Sequence, residues 1–330
     1  MVRAAHDRRG RGLVRELGAF PQVAALDDGT LFAHWLEKRA GGRTYDYDVR
    51  LTRWRDGGRS WDPPFSPYSD RTAGEHGFVA FAPLDASRMG TLFLDGRETK
   101  APGGAMTLRF TAVPRAGAAA ADTRIDARVC DCCQTALART ARGLVAAYRD
   151  RSDNEVRDIT VVRLAAGRWS EPVTPGQDGW QIQGCPVNGP ALAADGDQVV
   201  LAWFTMASDT PRVKLAFSSD AGATWGTPVV VDDGNPIGRV DVVLLPGAAA
   251  GSASAVVSWL ENSGNGASLR LRRVAANAKA AASASLSVAG TSAARASGFP
   301  QLALAGGELV VVWRDTSEPA RVISAVVGVS

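Results

Sequence analysis

The cysteines have the most specific chemistry in this chain, and all four fall in two places. Cys130, Cys132 and Cys133 are almost adjacent, and Cys185 follows 52 residues after the last of them. Thiolates are soft ligands that select Cu(I), with Zn(II) as the other common choice. The same thiols can also pair as disulfides or act as nucleophiles. The sequence therefore indicates a sulfur site, provided that the two groups meet in the fold.

A sixfold repeat predicts where the two groups lie. Each copy is a short apolar strand, a turn of Asp, Gly or Ala, and a second apolar strand that closes on an aromatic residue or Leu. A repeat of about 55 residues built from strands and turns is typical of a β-propeller with one four-stranded blade per repeat. We predict an all-β, six-bladed propeller of four-stranded antiparallel blades, in one domain over residues 18–330, after a flexible segment over residues 1–17. The closing residues are spaced 54 to 59 positions apart and are Trp35, Leu94, Tyr148, Trp203, Trp259 and Trp313.

The register of the repeat brings the two cysteine groups together. Cys133 precedes the closing Tyr148 by 15 residues, and Cys185 precedes the closing Trp203 by 18. Both cysteines therefore open the inner strand of their blade, in two neighbouring blades. Because neighbouring inner strands begin side by side around the axis, we expect the four sulfurs to meet at the mouth of the central channel.

Two further candidate ligands have matching positions. His76 opens the inner strand of the second blade, and Met206 follows Trp203 by three residues at the same mouth. The cysteine run is too tight for every sulfur to bind one tetrahedral ion, so bridging thiolates, or only two or three ligating thiolates, fit better. The predicted metal is Cu(I), with zinc as the second choice. The predicted ligands are Cys130, Cys132, Cys133 and Cys185, with His76 and Met206 as auxiliaries.

Three roles for the cysteines stay open on the sequence alone. They are metal binding, structural disulfides, and redox or nucleophilic thiol chemistry. A bridge from Cys130 or Cys132 to Cys185 would staple neighbouring blades together. The position of all four sulfurs at one predicted mouth favours a metal site over staples, which have no reason to gather there.

Other prominent residues are predicted to serve packing. The closing aromatic residues recur by register, so we interpret them as the core between blades. His34 lies inside the second strand of the first blade, and we predict that it is a packed strand histidine.

Short turn motifs add a resemblance to a known family. Ser218–Trp225 reads SSDAGATW, which matches the S-x-D-x-G-x-T-W turn called the Asp-box; residues 54–61 read WRDGGRSW, and residues 167–170 echo it as GRWS. Over essentially its whole length the chain resembles the six-bladed sialidase/BNR-repeat superfamily, as a non-canonical member that contains cysteines. The resemblance implies that these turns join the third and fourth strands on the face opposite the functional one. Inner strands then begin on the functional face.

The resemblance also implies a glycoside hydrolase as the alternative function. A sialidase uses three arginines to hold a carboxylate, a Tyr–Glu pair as nucleophile and an Asp as acid/base. The family's Arg-Ile-Pro triplet is Ala19-Phe20-Pro21 here, so its arginine is missing. The remaining candidates near the predicted mouth are Arg71, Arg239 and Arg314 for the carboxylate, with Tyr68, Glu75 and Asp70 for the chemistry. Arg149-Asp150 and Arg314-Asp315 occupy equivalent places in two blades, which we interpret as a repeated ion pair at a strand end.

Composition and charge limit the classes of molecule that this protein is expected to bind. The net charge is +3, with Lys and Arg scattered along the chain, which excludes a typical nucleic-acid-binding protein. No apolar run approaches the length of a transmembrane segment. The resemblance favours a periplasmic or secreted protein whose leader is absent from this sequence, over a cytoplasmic one. The expected partner is a metal ion or an acidic glycan, or another glycan or protein on a disulfide-braced mouth, and the expected state is a monomer.

Overall fold

Six antiparallel β-sheets form the blades of a ring. The structure is a computed structural model, which describes residues 21–54, 59–245, 247, 253–278, 283–317 and 319–328. The predicted segment 1–17 and part of the motif at residues 54–61 lie outside the described residues. In each sheet the strands follow one another in sequence order, each pairing with the next. The fold is therefore the predicted six-bladed propeller.

The first three blades hold the first eleven strands. Blade 1 contains β1 (Gln22–Ala25), β2 (Leu31–Lys38) and β3 (Tyr47–Trp54). Blade 2 contains β4 (His76–Asp85), β5 (Arg88–Asp95), β6 (Thr107–Pro114) and β7 (Thr123–Asp126). Blade 3 contains β8 (Ala136–Thr140), β9 (Gly143–Arg149), β10 (Ile159–Ala165) and β11 (Arg168–Trp169).

The last three blades complete the ring. Blade 4 contains β12 (Ala191–Asp195), β13 (Gln198–Thr205), β14 (Arg212–Ser218) and β15 (Val229–Val230). Blade 5 contains β16 (Pro236–Leu245), β17 (Ser254–Asn262), β18 (Ala267–Ala275) and β19 (Leu286–Thr291). Blade 6 contains β20 (Gln301–Ala305), β21 (Glu308–Asp315) and β22 (Arg321–Gly328). Two short 3-10 helices, Ala207–Asp209 and Arg295–Ser297, lie in loops, and no helix in the described part of the chain is long and apolar enough to cross a membrane.

Blades 1 and 6 depart from the four-stranded pattern, since each shows three strands among the described residues. In blade 1 the chain returns beside β3, and in the described part of this return it pairs with β3 at two isolated bridges, Leu51 with Phe65 and Trp54 with Trp61. Pro63 lies between the two bridging positions and is followed by a second proline. Because proline has no backbone N–H, a continuous fourth strand cannot form there.

The hydrophobic core lies between neighbouring blades. Five clusters of buried residues each join two consecutive blades, from the pair of blades 1 and 2 to the pair of blades 5 and 6. Tyr148, Trp203 and Trp259 are buried in three of these clusters, and Trp313 packs against a fourth. The predicted packing role of these closing residues is confirmed, and burial of such large rings holds adjacent blades together.

His34 is also a packing residue, as predicted. Its ring is buried and meets the Phe81 ring edge-on, with 4.8 Å between the ring centroids. Neither ring nitrogen has a hydrogen-bond partner. Burial lowers the pKa of His34 to about 3, because the apolar surroundings disfavour the charged ring.

The turn Ser218–Trp225 joins β14 to β15, the third and fourth strands of blade 4. The Asp220 carboxylate accepts hydrogen bonds from the backbone N–H and the hydroxyl of Thr224, at 2.9 and 2.6 Å. Ala221 and Gly222 adopt left-handed backbone angles, and Trp225 packs into the cluster between blades 3 and 4. The turn is therefore a structural device, on the side of the ring where the inner strands end.

Candidate functional site

The two cysteine groups meet, as the register predicted. Cys132 and Cys185 form a disulfide with 6.1 Å between their Cα atoms, and Cys130 and Cys133 form a second one with 5.8 Å. The first group lies just before β8 and Cys185 lies before β12, so the Cys132–Cys185 bond joins blades 3 and 4 on the face where inner strands begin. We call these four residues the sulfur cluster.

Backbone contacts fix the first group in place. The Val129 N–H donates to the Met106 carbonyl in blade 2, at 2.9 Å. The Cys130 N–H donates to the Arg149 carbonyl at the end of β9, at 3.0 Å. The cysteine run is therefore held between blades 2 and 3 before it reaches its disulfide partner in blade 4.

A second set of contacts joins the starts of β8 and β12. The Gly189 N–H donates to the side-chain oxygen of Gln134, at 2.8 Å. A Cβ atom at position 189 would lie 2.1 Å from the Gln134 carbonyl oxygen, so only glycine fits. This close approach brings the segment that carries Cys185 against the segment that carries Cys132.

The sulfur atoms are close together but differ in exposure. The Sγ atoms of Cys130, Cys132 and Cys133 all lie within 4.8 Å of one another, and those of Cys130 and Cys132 are 3.9 Å apart. Cys130 and Cys133 are each only 1% exposed, Cys132 is half-buried and Cys185 is exposed. One disulfide therefore faces solvent, and the other lies buried behind it.

The exposed disulfide lies in a cleft of about 510 Å³. Besides Cys132 and Cys185, charged and polar groups surround it. The other lining residues are Asp131, Arg151, Glu155, Arg157, Gln183 and Gly184. The cleft thus combines a sulfur pair with two guanidinium groups and two carboxylates.

The charges in the cleft form one network. Glu155 accepts hydrogen bonds from Arg151 and Arg157, each at 2.7 Å, and these bonds lower the pKa of Glu155 to about 2. Arg151 also donates to Asp131 at 3.2 Å. Arg157 is buried and donates to Sγ of Cys130 at 3.6 Å. A positive charge therefore contacts the buried disulfide directly.

Two carboxyl groups near the cluster have raised pKa values. Burial, with the charge of Asp131, raises the pKa of Glu75 to about 7. Burial raises the pKa of Asp150 to about 6, and the charges of Asp126 and Asp158 add to the effect. Both groups can hold a proton close to neutral pH.

The predicted auxiliary ligands lie in different surroundings. His76 is fully buried and stacks on Tyr68; its Nδ1 lies 3.0 Å from the Tyr47 carbonyl and its Nε2 lies 3.6 Å from Asp95. Among the described residues, the candidate ligand atoms that lie within 4.8 Å of one another are those of Cys130, Cys132 and Cys133, and His76 is not in this group.

Met206 follows β13 and is 41% exposed at the start of a short 3-10 helix. The Met206 side chain is exposed to solvent, whereas His76 is buried. Their roles as ligands stay predictions.

Two of the candidates for hydrolase chemistry, Tyr68 and Asp70, are held in hydrogen bonds with neighbouring residues. The Tyr68 hydroxyl is buried, donates to Asp48 at 3.3 Å and accepts the Val49 N–H at 3.0 Å; burial raises its pKa. Burial raises the pKa of Asp70, but hydrogen bonds from Thr72 and the charge of Arg97 outweigh it and leave the pKa lowered. Arg71 is exposed.

The other two candidate arginines both contact the loop that follows β19. Arg239 is buried and donates to the Ser297 hydroxyl and to the Ala294 carbonyl, the latter at 2.9 Å. Arg314 is exposed and donates to the Ala296 carbonyl at 3.0 Å. These contacts give both arginines a structural role between blades 5 and 6.

The predicted ion pair at the strand ends is wrong. The Arg149 guanidinium donates to the carbonyl oxygens of Asn188, Arg157 and Phe204, at 2.6 to 2.8 Å, and lies over the Trp180 ring. Burial lowers its pKa to about 9. The neighbouring Asp150 carboxylate accepts the Arg151 N–H instead. Arg149 therefore links blades 3 and 4 through their backbones.

Sequence reasoning missed the charged half of the cleft. Arg151, Glu155 and Arg157 lie in the loop between β9 and β10, and the backbone at Glu155 is left-handed, with φ 60°. The available signal is the Arg-x-x-x-Glu-x-Arg spacing, which begins three residues after the closing Tyr148, past the end of the strand that returns to the mouth.

Solved structures share the overall fold. An intramolecular trans-sialidase from Ruminococcus gnavus is 10% identical, with a TM-score of 0.58 and 94% of each chain covered. A sialidase from Trypanosoma rangeli is 12% identical, with a TM-score of 0.54; 93% of this chain and 55% of that longer chain are covered. A mutant of the lectin from Aleuria aurantia is 10% identical, with a TM-score of 0.52 and coverage of 95% and 98%. No protein-family model matches the chain, and no curated protein matches it in sequence. The chain therefore has a sialidase-like six-bladed fold, and its activity must be argued from the site.

Proposed function

We propose that the reduced sulfur cluster binds a soft metal ion, Cu(I) in preference to Zn(II), at the mouth of the propeller. The observation that carries this proposal is the convergence of four sulfurs from two blades, three of them within 4.8 Å of one another and the fourth bonded to one of the three. Cysteine thiolates are the donors that Cu(I) prefers.

The spacing of the sulfurs fits a shared ion. Two thiolates that bind one ion at ~2.3 Å in tetrahedral geometry lie about 3.8 Å apart. The Sγ atoms of Cys130 and Cys132 are 3.9 Å apart. The proposed primary ligands are the four cysteines. Met206 is the more available auxiliary, because its side chain is exposed, whereas His76 would have to give up its contact with the Tyr47 carbonyl or with Asp95 to bind an ion.

The charges nearby suit a thiolate site. Several thiolates around a monovalent ion carry a net negative charge, which needs compensation in a partly buried place. Arg157 already contacts Cys130, and Arg151 lines the same cleft. Metal binding requires that the two disulfides first be reduced, so the proposal applies to the thiol form.

The experiment is a titration under inert gas. Protein is reduced with a phosphine, desalted and titrated with Cu(I) against a coloured Cu(I) chelator. We expect at least one equivalent to bind, and Cys185→Ser to weaken the binding at least about tenfold. The matched control is the same protein with both disulfides intact, which should take up no Cu(I). The proposal fails if reduced protein binds none, or if Cys185→Ser binds as the parent does while circular dichroism shows the same fold.

The proposed location is periplasmic or extracellular, and the proposed working state is a monomer. Two disulfides support the location, since they form and persist in oxidising compartments. Fractionation of the source cells tests the location, and light scattering of purified protein tests the monomer.

A second candidate function is the binding or hydrolysis of an acidic glycan. The cleft favours it, because Arg151 and Arg157 stand beside the carboxylates of Asp131 and Glu155 in a volume of about 510 Å³. A fluorogenic sialoside tests hydrolysis, and a glycan array tests binding. No turnover at micromolar enzyme and no bound glycan would remove this candidate.

A further inference from the structure

The two disulfides are arranged in series. Cys185 is exposed in the cleft, and its partner Cys132 is half-buried. Behind Cys132, at 3.9 Å, lies the sulfur of Cys130, which belongs to the buried disulfide. A reductant in the cleft can therefore reach only the first disulfide, while the sulfur released from it lies against the second.

We propose that the sulfur cluster is a thiol–disulfide relay, which takes two electrons from a pair of external thiols at Cys185 and passes them to the buried disulfide. The activity is independent of metal binding and requires no bound ion. The reductant is defined by its chemistry as a small thiol or a peptide thiol that enters the cleft.

The first step is attack by an external thiolate on Sγ of Cys185. A mixed disulfide forms between the thiol and Cys185, the Cys132–Cys185 bond breaks, and Cys132 leaves as a thiolate. This direction follows from exposure, because Cys185 is the exposed sulfur of the pair and Cys132 is the covered one.

The second step moves the electron pair inward. The Cys132 thiolate attacks Sγ of Cys130, a Cys130–Cys132 disulfide forms, the Cys130–Cys133 bond breaks, and Cys133 leaves as a thiolate. Arg157 lines the cleft beside Cys132 and donates to Cys130, so its positive charge stabilises negative charge as it moves between these two sulfurs.

The third step releases the oxidised reductant. A second external thiolate attacks the mixed disulfide at the sulfur of the first reductant molecule, which forms the external disulfide and frees Cys185. In total two external thiols are oxidised to one disulfide, and one protein disulfide is reduced. The two protons of the external thiols end on Cys133 and Cys185, and the remaining protein bond is Cys130–Cys132.

The relay therefore makes a prediction about which cysteines are free at half reduction. Protein is treated with limiting glutathione in the presence of a metal chelator, quenched with acid, alkylated and mapped by mass spectrometry. We expect the two-electron product to carry label on Cys133 and Cys185, with Cys130 joined to Cys132. Label on Cys132 and Cys185, with the Cys130–Cys133 bond retained, contradicts the relay, and so does a product without any two-electron intermediate.

Two sets of variants keep the test decisive. In Cys185→Ser the entry sulfur is absent and Cys132 is already free, so we expect internal exchange to place label on Cys133 without any reductant; label confined to Cys132 contradicts the relay.

Arg157→Gln should slow the transfer about tenfold. Its matched control is Arg163→Gln on β10, outside the cleft, which should leave the rate unchanged; equal rates for both variants contradict the role given to Arg157. Because no Cu(I) is present, these results stand apart from those of the metal titration.

Discussion

Gly189 of blade 4 packs directly against the backbone of Gln134 of blade 3, beside the sulfur cluster. The Gly189 N–H donates to the Gln134 side chain at 2.8 Å, and a Cβ atom on residue 189 would lie 2.1 Å from the Gln134 carbonyl oxygen. Since the contacted atoms are backbone, they cannot turn aside as a flexible side chain would. The pairing of Cys132 with Cys185 depends on this approach between blades 3 and 4.

We therefore expect Gly189→Ala to lower the free energy of unfolding by about 3 kcal/mol, because the added methyl group forces the two strand starts apart. Chemical denaturation measures the change, and thiol labelling of the folded protein should show more free Cys185. The matched control is Gly290→Ala, on β19, where a Cβ atom meets nothing within 4 Å. Equal stability of the two variants would contradict the argument.

His34 should make the protein less stable in mild acid. The folded-state pKa is lowered to about 3 from an ordinary value of 6.5. The unfolded chain therefore binds a proton that the folded chain does not, so stability is complete above about pH 6.5 and is lost as the pH falls from there toward 3. The loss attributable to this residue is up to about 5 kcal/mol, with a slope near 1.4 kcal/mol per pH unit.

Urea unfolding at pH 7.5 and pH 5 measures this effect. In His34→Leu the difference between the two pH values should shrink by about 2 kcal/mol relative to the parent, since leucine keeps the apolar contact with Phe81 and has no proton to bind. If parent and variant lose the same stability between these pH values, the histidine is not the group that senses the acid.

Glu75 should act in the opposite direction. Its folded-state pKa is raised to about 7 from an ordinary value of 4.5. The folded chain then holds a proton that the unfolded chain has released, so stability falls as the pH rises from about 4.5 to 7. Glu75→Gln keeps a neutral group of similar shape and should be more stable than the parent at pH 8, by up to about 3 kcal/mol.

Melting temperatures of parent and variant at pH 5 and pH 8 provide the measurement. The two proteins should melt close together at pH 5 and apart at pH 8. Glu171→Gln, on the exposed surface, is the matched control and should follow the parent at both pH values. A constant gap between parent and Glu75→Gln would show that the substitution acts through packing and not through the proton.

The repeat made the fold and the meeting of the cysteines predictable. The closing residue lies on the second strand of every blade and therefore marks the same height in each blade. The number of residues from Cys133 to Tyr148, and from Cys185 to Trp203, then gives the height of each cysteine relative to that mark. A position along a strand follows from counting residues, because the rise per residue is constant. For this reason the contact between Cys132 and Cys185 could be foreseen without a structure.

Counting residues cannot predict which way a side chain faces, or which side chains the loops bring to the cluster. His76 opens its inner strand as the register predicts, yet its ring is buried and stacks on Tyr68. The repeated Arg-Asp pair predicts an ion pair at Arg149, but the Arg149 guanidinium donates to three carbonyl groups from two blades. Arg157 reaches Cys130 from a loop in which Glu155 has a left-handed backbone. Such contacts depend on loop geometry, which the repeat does not encode.

Met206 offers the sharpest test of which sulfurs bind the proposed ion. It is 41% exposed and directly follows β13, which returns to the face where inner strands begin, so Met206→Leu removes the thioether while keeping an apolar side chain of similar volume. We expect the reduced variant to bind the same number of Cu(I) ions about tenfold more weakly, and to bind Zn(II) as the parent does, because a thioether is a soft ligand. The matched control is Met89→Leu, in the buried core between blades 1 and 2, which should bind Cu(I) as the parent does. If Met206→Leu and Met89→Leu bind Cu(I) equally well, the site consists of cysteines without the methionine; if both weaken it, the effect comes from the fold and not from the ligand.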